Sequence, residues 1–128
     1  MPVTTAPDPD HRFQVILVTP PCSVAECRTG LRDAIAAPTF IEHRALLVDR
    51  RTAELATVEF VDEMVSFMSA HRDALAGTRA AIVTSTDAAY GMSRMMQLKS
   101  EARNPDMSIR AFRSYDEAVS WLIPPAGR

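Results

Sequence analysis

A chain of 128 residues with 47% hydrophobic and 23% charged content is sized for one domain with a core of its own. Its net charge of −2 and pI near 5.9 give no electrostatic attraction for nucleic acid or an acidic membrane surface, so neither is expected as a partner. No stretch reaches the ~20 apolar residues of a membrane-spanning helix and the first ten carry no signal-peptide run, which predicts a cytoplasmic protein.

Residues 1–11 turn to proline and acid after Ala6 and read as a flexible arm. The α/β domain is then expected over 12–123, with a short tail at 124–128 opened by Pro124-Pro125. Phe13–Val18 is the first apolar strand, stopped by Thr19-Pro20-Pro21, which cannot continue a ladder. Ser23 and Glu26 have the spacing of a capping box, and Val24, Cys27, Leu31 and Ile35 follow at helical period. Gly30 in that helix costs about 1 kcal/mol relative to alanine, and Pro38 ends it.

Ala45–Val48 is the second strand, closed by Asp49-Arg50-Arg51. Thr57 caps a helix predicted to run to Leu75, with Gly77 as its stop. Arg79–Thr84 is the third strand; Ser85, Thr86 and Asp87 offer caps for a helix over 88–102, ended by Asn104-Pro105. Met107–Phe112 is the last strand, and Ser114 with Glu117 opens a final helix whose inner face is Ala118, Trp121 and Leu122. Strands alternating with helices predict a largely parallel sheet with helices on its faces, and the second and third strands, apolar on both faces, belong at its centre.

Cys22 and Cys27 are the only cysteines. Five helical positions turn through roughly 500°, sending the two side chains to different faces, so they read as separate reduced thiols. His11, His43 and His71 share no ligand spacing, and no metal is expected.

Several segments together resemble the bacterial STAS-like, SpoIIAA-like proteins. They are Leu46-Leu47-Val48-Asp49-Arg50, Ala80-Ala81-Ile82-Val83, Tyr90-Gly91-Met92-Ser93-Arg94-Met95 and Arg110-Ala111-Phe112-Arg113, followed by Asp116-Glu117-Ala118-Val119-Ser120-Trp121-Leu122. The resemblance spans residues 12–123 and implies a single-layer, four- to five-stranded mixed sheet with flanking helices and a non-enzymatic regulatory role. The anti-sigma-factor antagonists of that group carry a phosphorylatable serine in a D-S-S-G motif. Here the matching stretch is Arg51-Thr52-Ala53-Glu54-Leu55-Ala56-Thr57, which lacks it; Thr57 is an acceptor by position only, and capping explains it.

Ligands of open parallel sheets sit beyond the carboxyl ends of the strands. That edge collects Asp49, Arg50 and Arg51, then Ser85, Thr86 and Asp87, then Arg113 and Ser114; Asp49, Arg50, Ser85, Thr86 and Asp87, with Tyr90 nearby, are the expected ligand-binding residues. A receiver-type phosphoaspartate at Asp49 lacks its carboxylate and lysine partners, and neither a nucleophile elbow nor a phosphate-cradling glycine loop is present. Phe60, Met64 and Phe67 form a second apolar stripe beside Val61, Val65, Met68 and Leu75, which predicts a homodimer through that helix. The chain is therefore expected to be a binding or regulatory module, without cofactor, recognising a protein partner or a small anionic or apolar ligand at the strand-end edge. The alternative is a small-molecule enzyme using Asp49 with Ser85 or Tyr90.

Overall fold

In the computed structural model, which describes residues 2–123, the chain builds one five-stranded sheet flanked by helices. The strands are β1 (Val3–Pro7), β2 (Gln14–Val18), β3 (Ala45–Asp49), β4 (Arg79–Val83) and β5 (Ser108–Phe112), lying side by side in that order. The helices are α1 (Val24–Ile35), α2 (Pro38–His43), α3 (Val58–Ala70), α4 (Arg72–Leu75), α5 (Asp87–Arg103) and α6 (Tyr115–Leu122). β2 to β5 are mutually parallel, while β1 runs antiparallel to β2, pairing Val3 with Val18 and Pro7 with Gln14.

β1 corrects the expectation of a flexible arm. Val3–Pro7 satisfies its backbone on β2, and Val3 buries its side chain against α1. Two side-chain bonds fasten the pair: Gln14 Nε2 donates to Thr5 Oγ1 (2.7 Å), which donates to the Val15 carbonyl (2.9 Å). Asp8 organises the connection, its carboxylate accepting the main-chain N–H groups of Asp10, Arg12 and Phe13. Proline and acid thus mark a tight strand connection here. Pro124-Pro125 and the expected tail lie outside the described residues.

The helices begin where capping chemistry places them. Ser23 and Glu26 complete the capping box of α1; Thr57, Thr86 and Ser114 each accept one N–H at the starts of α3, α5 and α6. Two boundaries differ from expectation. Pro38 starts the short helix α2, because proline suits the first helical turn, where its missing N–H has no partner to lose. The helix expected to reach Leu75 breaks at His71 into α3 and α4, and Gly77 follows in the left-handed region (φ 76°).

One face of the sheet carries Ile16, Val18, Leu46, Ala80, Ile82 and Ile109 beneath α1, α3 and α5. The other carries Ala45, Leu47, Ala81, Val83 and Phe112 beneath α6. Both faces of β3 and β4 are thereby covered, as their continuous apolar sequence requires. α6 packs on β3, β4 and β5, which leaves Leu17 of β2 exposed on that side.

Candidate functional site

The carboxyl ends of β3, β4 and β5 meet at a rim formed by the β3–α3 connection (50–57), the turn into α5 and the turn into α6. Asp49, the last residue of β3, is buried and held from three directions by one neighbour. Arg51 donates its main-chain N–H (3.1 Å) and Nε (3.0 Å) to Oδ1, and its Nη2 (2.8 Å) to Oδ2. Burial by itself would raise the Asp49 carboxyl; the hydrogen bonds and charge of Arg51 outweigh it and hold the group below the ordinary range. The Arg51 guanidinium also lies over the Tyr115 ring at 4.7 Å, and burial beside Asp49 pushes the Tyr115 hydroxyl up.

The chain of contacts continues across the rim. Ser85 Oγ donates to the Arg51 carbonyl (2.7 Å), Arg113 Nη2 donates to the Ser85 carbonyl (3.1 Å), and Arg113 Nη1 pairs with Asp87. Thr86 Oγ1 accepts the Ala89 N–H (3.1 Å) as the cap of α5. Tyr90 sits one turn into α5, half-buried, and no hydrogen bond among the described residues joins it to Asp49 or Ser85.

Arg50 goes the other way. Its guanidinium lies over the Phe60 ring (5.0 Å) and its Nη2 donates to the Glu54 carbonyl (3.1 Å), on the α3 side of the sheet. Successive residues at a strand end leave on opposite faces, so Asp49 and Arg50, adjacent in sequence, serve different surroundings. Arg51 and Arg113, which the sequence puts on this edge but outside the expected ligand-binding set, are the residues that organise the Asp49 side.

The second stripe of α3 is accounted for inside the monomer. Met64 is buried in the core, while Phe60 and Phe67 are half-buried against it. Phe67 stacks on His71 (4.2 Å) and lies under Arg32 of α1 (5.7 Å). Of the three residues expected at a dimer interface, Met64 is thereby committed to the core of the chain itself, because α1 and α5 flank α3 and widen the face it must bury.

The thiols also depart from expectation. Cys22 precedes the cap Ser23, outside the helix, so the helical turning angle does not apply to it; its Sγ lies 2.7 Å from Sγ of Cys27. Burial, the hydrogen bond and the charge of Cys27 push the Cys22 thiol up to about 12. Among the described residues no cluster of three or more His, Cys, Asp or Glu could hold a metal ion, and no helix is long and apolar enough to cross a membrane.

No protein-family model matches the sequence, and no curated protein matches it. Among solved structures, an anti-sigma factor antagonist from Mycobacterium paratuberculosis superposes with a TM-score of 0.59 at 16% identity, over 94% of this chain and 93% of that one. An uncharacterised DUF3478-family protein with a SpoIIAA-like fold, from Shewanella loihica PV-4, superposes with a TM-score of 0.57 at 12% identity, over 94% and 92%.

Proposed function

From a chain with this SpoIIAA-like, STAS-like fold, we propose a non-enzymatic regulatory module that binds a protein partner at the rim where β3, β4 and β5 end. The observation that carries the reading is how the rim spends its polar groups. Asp49, Arg51, Ser85, Arg113 and Asp87 are tied to one another, while Leu55 in the β3–α3 connection and Val58 at the start of α3 are 53% and 45% exposed. A polar frame locked at the strand ends, with exposed apolar side chains on the segment that leaves it, suits a partner surface. The Mycobacterium neighbour is named an anti-sigma factor antagonist, a protein whose target is another protein, and that mode of action is carried here as a proposal.

The enzymatic alternative asks Asp49 to act as a base toward Ser85 or Tyr90. Both carboxylate oxygens are instead engaged by Arg51, and the Ser85 proton is directed to a carbonyl. Ionised and fully partnered, Asp49 works as a strut.

The test compares the wild type with a Leu55→Asp, Val58→Asp double variant whose circular dichroism and melting are unchanged. Proteins retained from a lysate of the source organism are identified, purified and titrated individually. A purified protein that binds stoichiometrically and loses about tenfold or more in affinity to the variant supports the proposal. Equal affinity for both chains, or no protein that binds once purified, removes it.

A further inference from the structure

Between the sheet and helices α1, α3 and α5 lies an apolar cavity of about 90 Å³. Five of the chain's seven methionines line it: Met64, Met68, Met92, Met96 and Met107. Packed interiors leave few voids larger than a water molecule, because each void forfeits dispersion contacts. Methionine is the side chain best able to reshape such a space, being unbranched, polarisable and free to rotate about three bonds. A cavity walled by most of a protein's methionines is therefore a cavity that can change size.

Two of its polar lining residues, Arg50 and Thr84, lie together at the carboxyl end of the sheet. Thr84, which follows β4, lines the cavity and is 1% exposed, yet its Oγ1 has no hydrogen-bond partner among the described residues. Strand alternation explains its direction: Ala80 and Ile82 face the same space, whereas Ala81 and Val83 face α6. Asp49 pairs with Val83 in the β3–β4 register, and the Arg50 N–H donates to the Val83 carbonyl, which sets Arg50 beside Thr84. Arg50 also lines the cavity and uses one guanidinium donor of five on the Glu54 carbonyl. Among the described residues it makes no ion pair; the Glu54 side chain is turned to the Cys22 N–H (3.2 Å).

We propose that this cavity binds a small monocarboxylate with an apolar chain, its carboxylate accepting hydrogen bonds from the Arg50 guanidinium and the Thr84 hydroxyl and its chain lying among the methionines. A charge-assisted bond from arginine gives the head group its anchor, and the buried hydroxyl gains the partner it lacks. The lining also includes the exposed Glu54 and the half-buried Ala56 and Ala89, which belong to the connection after β3 and the first turn of α5. The site stands independently of the partner surface, because Leu55 and Val58 are not among the lining residues.

The probe is sodium octanoate, titrated into the full chain carrying ¹³C-methyl methionine, with 1-octanol as the uncharged counterpart. Saturable shifts are expected at Met64, Met68, Met92, Met96 and Met107, with Met95, outside the lining, moving least. Arg50→Gln should weaken octanoate by about tenfold while changing octanol by less than about threefold. Thr84→Val should weaken octanoate by severalfold. The wild-type titration alone can sink the idea: shifts that grow without saturating to about 5 mM, or that are largest at Met95, mean nonspecific surface contact. Octanoate and octanol weakened equally by Arg50→Gln would refute the assignment of the head group.

Discussion

Val3 and Gly30 share a contact with no room for another carbon: a β-carbon on Gly30 would lie 2.1 Å from Cγ1 of Val3 and 3.2 Å from its Cβ. The glycine that weakens α1 by its propensity is what lets β1 lie against that helix. Converting it to alanine gains about 1 kcal/mol of helix propensity and forces an overpacked contact that costs about 1–3 kcal/mol. Gly30→Ala is expected to be less stable than wild type in urea unfolding. In a Val3→Ala background the further change Gly30→Ala should cost little, since the Cγ1 that it would strike is gone. A Gly30→Ala protein as stable as wild type, or single-mutant effects that simply add, would show that β1 does not pack on α1 this way.

Asp8 and Asp49 both ionise below their ordinary value of 3.8. Burial opposes this in each case and is overcome, at Asp8 by the main-chain N–H groups of Arg12, Phe13 and Asp10, at Asp49 by Arg51. A carboxylate held low in the folded state contributes stability that is complete above about pH 4 and is lost as pH falls through its folded value. Asp8→Asn should lower stability at neutral pH by about 1.5–3 kcal/mol, the usual worth of hydrogen bonds to a charged group. The gap between variant and wild type should then narrow steadily as pH falls from about 4 toward 2. Denaturant unfolding at several pH values measures it; a constant gap across that range would mean the Asp8 charge does not hold the β1–β2 connection.

Cys22 and Cys27 are expected to join when the native protein meets oxidised glutathione. One thiolate displaces a glutathione thiol to give a mixed disulfide, and the second displaces the other; two protein thiols lose two electrons and two protons, yielding two glutathione molecules. Burial, the Cys27 thiol and charge, and Glu26 raise the Cys22 thiol while Arg50 lowers it, leaving little thiolate at neutral pH. The reaction should therefore be slow near pH 7 and accelerate as pH rises. Mass spectrometry of tryptic peptides reads the result as a loss of two hydrogens within one monomer. Glutathione retained on Cys22 with no internal closure would place the two sulfurs apart in solution.

The segment of α3 and α4 shows how far periodicity reaches. Val61, Val65, Met68 and Leu75 are buried as their spacing requires, and so is Met64, which the same spacing assigns to a second partner. Period reveals that a face is apolar but not how many neighbours cover it. Trp121 makes the converse case: it lies on the inner side of α6 by period, yet is only half-buried, with the Arg79 guanidinium over its ring at 4.5 Å. The helical turning angle separates two thiols only where both lie within the helix, and Cys22 precedes its cap.

What sequence alone determined is whatever depends on neighbours along the chain. Capping hydroxyls at Ser23, Thr57, Thr86 and Ser114 set helix starts, and unbroken apolar runs at Ala45–Val48 and Ala80–Val83 require central strands. Tertiary structure alone decided that residues 3–7 become a strand, since a short polar segment gains its stability from β2 and α1 rather than from itself. It also decided that Asp49 spends its charge on Arg51 while Thr84 keeps an unpaired hydroxyl inside the methionine cavity. Pairings of that kind are set by which groups meet across space, and a one-dimensional pattern carries no distances.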